Sequence, residues 1–130
     1  MASNSFGTET LNLLDETEEV YIVTSRDADS LEHRTIIWVV VVGSEVFVRS
    51  VHGRKGRWYQ RISAHPEGAL LAGDTRIPVH AAPATDGGTV EAVSRAFRNK
   101  YEEAWPGPTA GIVRPVTLPT TLKLLPAQET

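Results

Sequence analysis

A basic, glycine-containing segment from Arg49 to Arg61 is the part of the sequence with the clearest capacity for chemistry. It holds five of the thirteen Lys and Arg residues, and no acidic residue lies between Glu45 and Glu67, although the net charge of the chain is −3. Glycines at positions 53 and 56 let the backbone approach a ligand and direct its N–H groups toward it. Guanidinium and ammonium groups beside such a backbone bind phosphate. This basic segment therefore predicts an anion site, with a solvated basic loop as the alternative.

Polar and aromatic side chains within the basic segment extend the candidate site. Ser50 offers a hydroxyl before the glycines, and Trp58 and Tyr59 follow them. Adjacent residues of a helix or strand point in different directions, so we expect one ring in the core and the other against a ligand. The candidate proton donors are His52, Tyr59 and Tyr101, and no motif identifies a catalytic residue.

Several reaction classes are excluded by what the sequence lacks. It has no cysteine, and its histidines stand at positions 33, 52, 65 and 80, so none forms a pair at metal-ligand spacing and no metal site is predicted. There is no Gly-x-Ser-x-Gly sequence for a nucleophilic serine, and no strand followed by Gly-x-Gly-x-x-Gly for a dinucleotide. Chemistry carried by a bound cofactor needs none of these motifs.

Charge and hydropathy exclude two classes of partner. The isoelectric point of about 5.8 gives no reason to expect nucleic-acid binding. The longest apolar run, Ile36–Val42, is too short to span a membrane. No basic region followed by an apolar region begins the chain, so no signal peptide is predicted. The absence of cysteine is compatible with a reducing compartment, and we expect a cytoplasmic protein.

Short strands are the elements that must position the basic segment. Six segments are rich in β-branched or apolar residues and are bounded by Gly, Pro, Asp or Ser. These predicted strands are Val20–Ser25, Arg34–Val42, Glu45–Ser50, Ala69–Ala72, Arg76–Ala82 and Thr121–Leu125. Gly43 and Ser44 between the second and third strands predict a hairpin. The second strand has a continuous apolar run, so we expect it to be buried on both faces. Pro78 predicts an edge or bulged strand.

Helical periodicity is confined to three segments. Two short helices are predicted at Thr8–Asp15, with Thr8 as the cap, and at Arg57–Ala64. A long helix is predicted at Val90–Trp105, where apolar residues recur at spacings of three and four and Thr89 is the expected cap. The segment Arg114–Thr120 contains two prolines and is expected to be extended.

Together these elements predict a mainly β, α+β fold in one domain that spans residues 1–130, with residues 1–7 disordered. The 130 residues and a hydrophobic content of 41% suffice for one core. Hairpin-linked strands of this length favour a small antiparallel barrel over a parallel sheet. About six strands and one long late helix are expected.

In order and spacing, several short motifs resemble those of a known family. These are Arg34-Thr35-Ile36-Ile37-Trp38, Val46-Phe47-Val48-Arg49-Ser50, the stretch from Gly53 to Tyr59, Ile62-Ser63-Ala64-His65-Pro66, Lys100-Tyr101, and Leu122-Lys123-Leu124-Leu125-Pro126. The chain from Val20 onward resembles the flavin- and deazaflavin-binding split barrels of the pyridoxamine-phosphate-oxidase-like superfamily. It is similar in particular to the deazaflavin-dependent nitroreductases and the small bacterial proteins allied to them.

This resemblance implies a split β-barrel that forms a homodimer and binds FMN or a deazaflavin coenzyme in a groove at the barrel edge. The implied activity is hydride transfer to a small organic acceptor such as a nitro compound, a quinone or an enone. The resemblance places Arg34, Thr35 and Ile36 beside the ring and Trp58 and Tyr59 beneath it. It places a second set of residues at the phosphate: Ser50, His52, Gly53, Lys55 and Arg57.

One segment departs from the pattern of the family. The residues before Arg34 are acidic, from Asp27 to Glu32, where the family has basic residues. This difference argues against the long polyanionic tail of a deazaflavin. Two alternatives to the reductase therefore stay open. One is a non-enzymatic barrel that holds a flavin, haem or another small anion, and the other is a cofactor-free barrel with a repurposed pocket.

Overall fold

The computed structural model describes residues 5–25 and 31–127. The helices are α1 (Thr8–Glu16), α2 (Arg57–Ala64), α3 (Gly87–Tyr101) and α4 (Pro106–Ile112), and two 3₁₀ helices span Gly53–Lys55 and Pro115–Thr120. The strands are β1 (Glu19–Thr24), β2 (His33–Trp38), β3 (Val40–Val42), β4 (Glu45–Val48), β5 (Glu67–Ala72), β6 (Thr75–Pro83) and β7 (Leu122–Pro126). The predicted α+β split barrel with one long late helix is confirmed.

The sheet curls until its two edges meet. Its seven strands are ordered β2-β1-β5-β6-β7-β4-β3, and every pairing is antiparallel. The first and last strands in that order, β2 and β3, are consecutive in the chain and separated only by Val39. One continuous stretch therefore pairs with β1 through its first part and with β4 through its second part, and Val39 marks the seam of the barrel.

Two clusters of apolar side chains fill the fold on either side of the sheet. The larger lies inside the barrel and includes Val46 and Val48 of β4. The smaller lies under α3 and includes Phe47 of β4 with Phe97 of α3. This division follows the alternation of side chains along a strand. The predicted hairpin is also confirmed, since Val42 pairs with Glu45 across a turn in which Gly43 has a φ of 63°.

The prediction of one strand from Arg34 to Val42, buried on both faces, is wrong in two respects. The chain changes pairing partners at Val39, so the stretch forms two strands. The side chain of Ile36 is 53% exposed, although it lies within the apolar run. A run of β-branched residues gives β structure wherever it lies, but it does not reveal where a barrel closes.

The prediction of an edge or bulged strand around Pro78 is also wrong, because β6 pairs with β5 on one side and with β7 on the other. The Pro78 carbonyl accepts a hydrogen bond from the Ala127 N–H, just beyond the last paired residues, Val79 and Pro126. A residue of a strand directs its carbonyl and its nitrogen to the same side. The missing N–H of Pro78 therefore faces the end of the β7 ladder, where no paired strand residue needs it.

The late helices differ from the prediction at their ends. Helix α3 starts three residues earlier than predicted and is capped by Asp86, whose carboxylate accepts from the Thr89 N–H at 3.0 Å. It ends at Tyr101, and the proline-rich segment that follows forms α4, with Pro106 at a position where helices tolerate a missing N–H. The segment Pro115–Thr120 is a 3₁₀ helix and not extended, because the fixed φ of proline also suits a helical turn.

Two further expectations concern the ends of short elements. Helix α1 is preceded by Gly7 as its cap, and Thr8 is its first helical residue. Phe6, in the segment expected to be disordered, packs against the barrel core. The acidic residues Asp27 and Asp29 of the predicted β1–β2 connection, like residues 1–4, lie outside the described residues.

Candidate functional site

A groove of about 530 Å³ opens between the seam side of the barrel and helix α4. This volume lies within the roughly 300–1,000 Å³ that small-molecule sites occupy. The groove is lined mainly by apolar and aromatic side chains from β2, the end of β4, α2 and α4. Its lining residues are Glu18, Glu19, Thr35, Ile36, Ile37, Trp38, Arg49, Val51, His52, Trp58, Trp105, Pro108 and Ile112.

All three tryptophans of the chain line this groove. Trp58, at the start of α2, is only 6% exposed and belongs to the barrel core as well. Trp105 is 45% exposed, and its Nε1 donates to the Glu18 Oε1 at 2.9 Å. Aromatic walls of this kind bind flat, conjugated ligands by stacking.

The third tryptophan, Trp38, is held from behind by helix α3. Its ring stacks on the ring of Tyr101, with centroids 3.8 Å apart and planes at 2°. The Tyr101 hydroxyl lies 2.6 Å from the Glu18 carbonyl and 3.1 Å from the Val39 carbonyl, and it accepts from the Val39 N–H at 3.3 Å. Burial raises the pKa of Tyr101 well above its usual range, so the hydroxyl stays protonated. The wall of the groove is thus fixed by α3.

Lys100 completes the polar contacts at the seam. Its ammonium donates to the Leu14 carbonyl at 2.8 Å and to the Val39 carbonyl at 2.7 Å. Val39 is fully buried, and its peptide groups lie where the chain leaves one ladder and joins another. Lys100 and Tyr101 therefore provide side-chain partners for a residue that lies between two strands.

Lys100 makes stability depend on pH in a defined range. Burial lowers its pKa from 10.5 to about 8, against the opposing effect of Asp15 and Glu18. Between these values the unfolded chain binds more protons than the folded one, so the free energy of unfolding gains a contribution that grows as the pH rises from about 8 to 10.5. We expect Lys100→Met to remove this rise, measured as the difference between urea unfolding of the two proteins at each pH. Parallel curves for the two proteins over that range would contradict the prediction.

The basic segment follows the groove but presents its charges outside it. The side chains of Arg54, Lys55 and Arg57 are exposed, and none of them lines the groove. Arg57 is the first residue of α2, and no side chain caps this helix at Gly56. The N–H groups of the first turn of a helix have no partner within the helix and attract anions.

The two glycines of the basic segment serve packing within the protein. Gly53 has a φ of 65°, and a Cβ there would lie 2.8 Å from the Cγ2 and 2.9 Å from the carbonyl oxygen of Val116. A Cβ on Gly56 would overlap the Ser50 Oγ. Ser50 itself is fully buried, and its Oγ is the one buried side-chain atom of the described residues that has no hydrogen-bond partner. Its free hydroxyl therefore lies directly behind the N-terminus of α2.

Gly53→Ala tests how tightly this turn is packed. We expect a loss of about 2–4 kcal/mol in the free energy of unfolding, from the left-handed backbone and from the contact with Val116. Gly43→Ala is the matched control, since Gly43 has a φ of 63° but open space around its Cα. The control should lose only about 1–2 kcal/mol. Equal losses in the two variants would show that the contact with Val116 contributes nothing.

Arg49, the first residue of the basic segment, is the cation of that segment that lines the groove, although it was not among the residues predicted to bind the cofactor. It follows β4, its side chain is 2% exposed, and it lies against the ring of Phe97 at 5.6 Å. The guanidinium donates to the Thr121 Oγ1 at 2.9 Å, the Ser94 Oγ at 2.8 Å and the Val90 carbonyl at 2.8 Å, with a longer bond of 3.4 Å to the Ile112 carbonyl. These acceptors are all uncharged.

The structure places the predicted cofactor-binding residues at several different locations. Thr35, Ile36, His52 and Trp58 line the groove. Lys55 and Arg57 are exposed on the turn beside it, while Ser50 and Gly53 are buried beneath that turn. Arg34 is exposed on β2 and Tyr59 packs against the barrel core, so neither lines the groove.

Of the three candidate proton donors, only His52 lines the groove. Tyr101 is 1% exposed and lies behind Trp38. The groove also includes residues that the sequence interpretation missed: Glu18, Glu19, Ile37, Trp38, Arg49, Val51, Trp105, Pro108 and Ile112. Trp38 lies in the continuous apolar run that predicts a fully buried strand, and nothing local in the sequence distinguishes a strand residue at a seam.

Other kinds of site are not found in the described part of the chain. Within residues 5–25 and 31–127, no three His, Asp or Glu side chains lie close enough together to hold a metal ion. None of the described helices is long and apolar enough to cross a membrane.

Solved structures with the same fold include proteins of different function. A putative pyridoxamine 5'-phosphate oxidase from Listeria innocua has a TM-score of 0.64 at 16% identity, over 92% of each chain. The heme storage protein HutZ from Vibrio cholerae has a TM-score of 0.63 at 13% identity, over 93% of this chain and 89% of its own. An F420-H2 dependent reductase has a TM-score of 0.58 at 14% identity, over 82% and 92%. At these identities the likeness establishes the fold alone.

The sequence itself matches one family over most of its length. No curated protein matches the chain. The match to the family covers residues 10–124 and so includes every strand of the barrel except the last two residues of β7, and all the residues that line the groove. The chain belongs to the family described as "Uncharacterized protein conserved in bacteria (DUF2255)".

Proposed function

We propose that the protein binds a flavin-type cofactor, FMN or a deazaflavin, and acts as an oxidoreductase that transfers a hydride to a small organic acceptor. The observation that carries the proposal is the adjacency of an aromatic groove to a basic turn with a free helix N-terminus. The proposal agrees with the resemblance to flavin-binding split barrels. Among solved structures of the same fold are a putative pyridoxamine 5'-phosphate oxidase and an F420-H2 dependent reductase.

The ring of the cofactor fits the groove by shape and polarity. The rings of Trp38 and Trp58 can pack against the face or the edge of the cofactor ring. Ile36 and Val51 supply apolar contacts at the opening of the groove. Stacking and burial of a large aromatic ring are favourable in such surroundings. Thr35 and His52 are polar groups of the lining that can orient a ring through hydrogen bonds.

The phosphate end fits the N-terminus of α2. Arg57 is the first residue of this helix, where the peptide N–H groups lack partners, and Lys55 lies just before its cap Gly56; both side chains are exposed. The Ser50 Oγ, buried and without a hydrogen-bond partner, lies behind Gly56. Helix N-termini with adjacent cations bind phosphate through charge-assisted hydrogen bonds.

The bound cofactor supplies the hydride chemistry. The residues of the chain bind and orient it, and the apolar walls keep water away from the ring. His52 is the groove residue whose ring nitrogen can donate a proton to an acceptor. Tyr59 and Tyr101, which lie outside the groove lining, act in this proposal through packing and not through proton transfer.

We also propose that the protein is a homodimer whose second copy covers the groove. Ile36, Val51 and Trp105 are 53%, 41% and 45% exposed, and all three line the groove. Large exposed apolar side chains clustered at one site are typical of interaction surfaces. We expect the mass measured by light scattering to be twice that of the 14.2 kDa chain. A monomer at tens of micromolar would contradict this part of the proposal.

Titration with FMN and with the reduced and oxidised deazaflavin coenzyme tests the main proposal. We expect at least one of them to bind with a Kd below about 10 μM, which corresponds to roughly 7 kcal/mol. Turnover with nitro, quinone and enone acceptors then separates an enzyme from a non-enzymatic flavin- or haem-binding barrel. Binding of neither cofactor at that concentration would refute the proposal, and binding of haem in their place would favour the storage alternative.

A further inference from the structure

Among residues 5–25 and 31–127, no acidic side chain pairs with the buried guanidinium of Arg49. Its four hydrogen bonds all go to hydroxyl or carbonyl oxygens. The ion pairs of the described residues, such as Lys123–Glu45, involve other side chains. Neutral acceptors satisfy the N–H groups of a buried cation, but they leave its charge uncompensated. Such a charge attracts an anion wherever the surrounding space lets one enter.

The electrostatic surroundings of Arg49 support this reading. Burial lowers its pKa to about 10, and Arg98, a charge of the same sign, acts in the same direction. Arg49 nevertheless remains protonated at neutral pH. It also lines the groove, together with Ile112, whose carbonyl it contacts. An anion in the groove would meet this cation at low local dielectric, where the attraction is stronger than in water.

The two ends of helix α4 lie beside side chains of opposite charge, so the two ends of the groove differ in charge. Its N-terminal end is marked by Trp105, which donates to the Glu18 carboxylate, and its C-terminal end by Ile112, which accepts from Arg49. A helix of seven residues is about 10 Å long. Glu18 therefore lies at one end of the α4 wall and Arg49 at the other. A ligand that carries a negative group is repelled at the first end and attracted at the second.

We propose that the groove selects a flat ligand with a negatively charged group, a carboxylate or another oxyanion, placed at the Ile112 end of α4 beside Arg49. This inference rests on the proposed role of the groove as a ligand site. It adds that the ligand is negatively charged and that its charged group lies at the Ile112 end of α4. The anion position is distinct from the phosphate position proposed at the N-terminus of α2. Arg49 acts here as a specificity-determining residue.

Two probes of nearly equal shape test the inference without any flavin: 1-naphthoate and its neutral analogue 1-naphthamide, each titrated by calorimetry. We expect the wild-type protein to bind the carboxylate at least about tenfold more tightly, in line with a charge-assisted contact. Arg49→Gln should abolish the preference, and Arg49→Lys should retain part of it. The double variant Lys55→Ala/Arg57→Ala should keep the full preference, because those charges lie outside the groove lining.

Equal affinity of the wild-type protein for the two probes would overturn the inference, as would binding of neither at millimolar concentration. Loss of the preference in Lys55→Ala/Arg57→Ala would overturn it too, because the charge would then lie on the basic turn. The wild-type comparison and the double variant remain decisive if Arg49→Gln does not fold. A protein that prefers naphthoate but binds no flavin refutes the proposed cofactor alone, whereas one that binds FMN and prefers neither probe refutes this inference alone.

Discussion

Replacing Tyr101 with Phe is expected to lower the free energy of unfolding by about 2–4 kcal/mol, because the change leaves two backbone groups without their partner. The hydroxyl accepts from the N–H of Val39, which is fully buried, and it bonds to the carbonyl of Glu18. The ring of Phe can still stack on Trp38, so the effect isolates the polar contacts at the seam. Urea unfolding followed by far-UV circular dichroism measures the loss.

Tyr21→Phe is the matched control for this variant. Tyr21 lies on β1 with a side chain that is 43% exposed, and no described hydrogen bond involves its hydroxyl. Tyr21→Phe should lower the free energy of unfolding by less than about 0.5 kcal/mol, as for most substitutions at exposed positions. A similar small effect at Tyr101 would mean that its hydroxyl contributes little at the seam, where Lys100 of α3 also bonds to Val39.

Replacing Lys55 and Arg57 together with Ala is expected to weaken FMN binding by about 100-fold or more. Each removed side chain would lose a charge-assisted hydrogen bond to the phosphate worth about 1.5–3 kcal/mol. Riboflavin, which has the same ring without the phosphate, should bind the variant and the wild-type protein almost equally. Fluorescence titration of both ligands gives the two ratios directly.

A second pair of cations controls for net charge. Lys123→Ala/Arg95→Ala removes the same two charges from positions outside the groove lining and outside the basic segment. This control should change the Kd of FMN less than about threefold, since charges at a distance from the phosphate are screened by salt. Unchanged FMN affinity in Lys55→Ala/Arg57→Ala would place the phosphate elsewhere. An equal loss in both double variants would indicate a general effect of charge.

Local sequence chemistry was sufficient for much of the fold. The hairpin at Gly43 follows from the need for positive φ between two β-branched runs, and α2 was predicted with the same bounds that the structure gives. The errors lie where the alternatives differ only by long-range pairing. Pro78 occurs in an interior strand because β7 ends opposite it, and no local signal marks that end. The segment Pro115–Thr120 likewise forms a 3₁₀ helix where an extended chain had been expected.

The candidate site was predictable only in part. The residues themselves identified the basic segment with His52 and Trp58, and the resemblance added Thr35 and Ile36; all four side chains line the groove. The sequence did not indicate that Trp38 lines the groove or that Arg49 is buried beneath α3 and α4. Trp38 contacts Tyr101, which is 63 positions away along the chain, and Arg49 contacts Thr121, which is 72 positions away.

By itself, the sequence determined the antiparallel α+β barrel, the turn chemistry at Gly43 and the concentration of positive charge between Arg49 and Arg61, because these depend on residue types and spacing within a few positions. Only the tertiary structure decided where the barrel closes, which rings form the groove and which cation lies inside it. Closure at Val39 brings the ends of the sheet together, and α3 then supplies the partners of the peptide groups of Val39. These contacts depend on the geometry of the closed sheet, which no short stretch of sequence encodes.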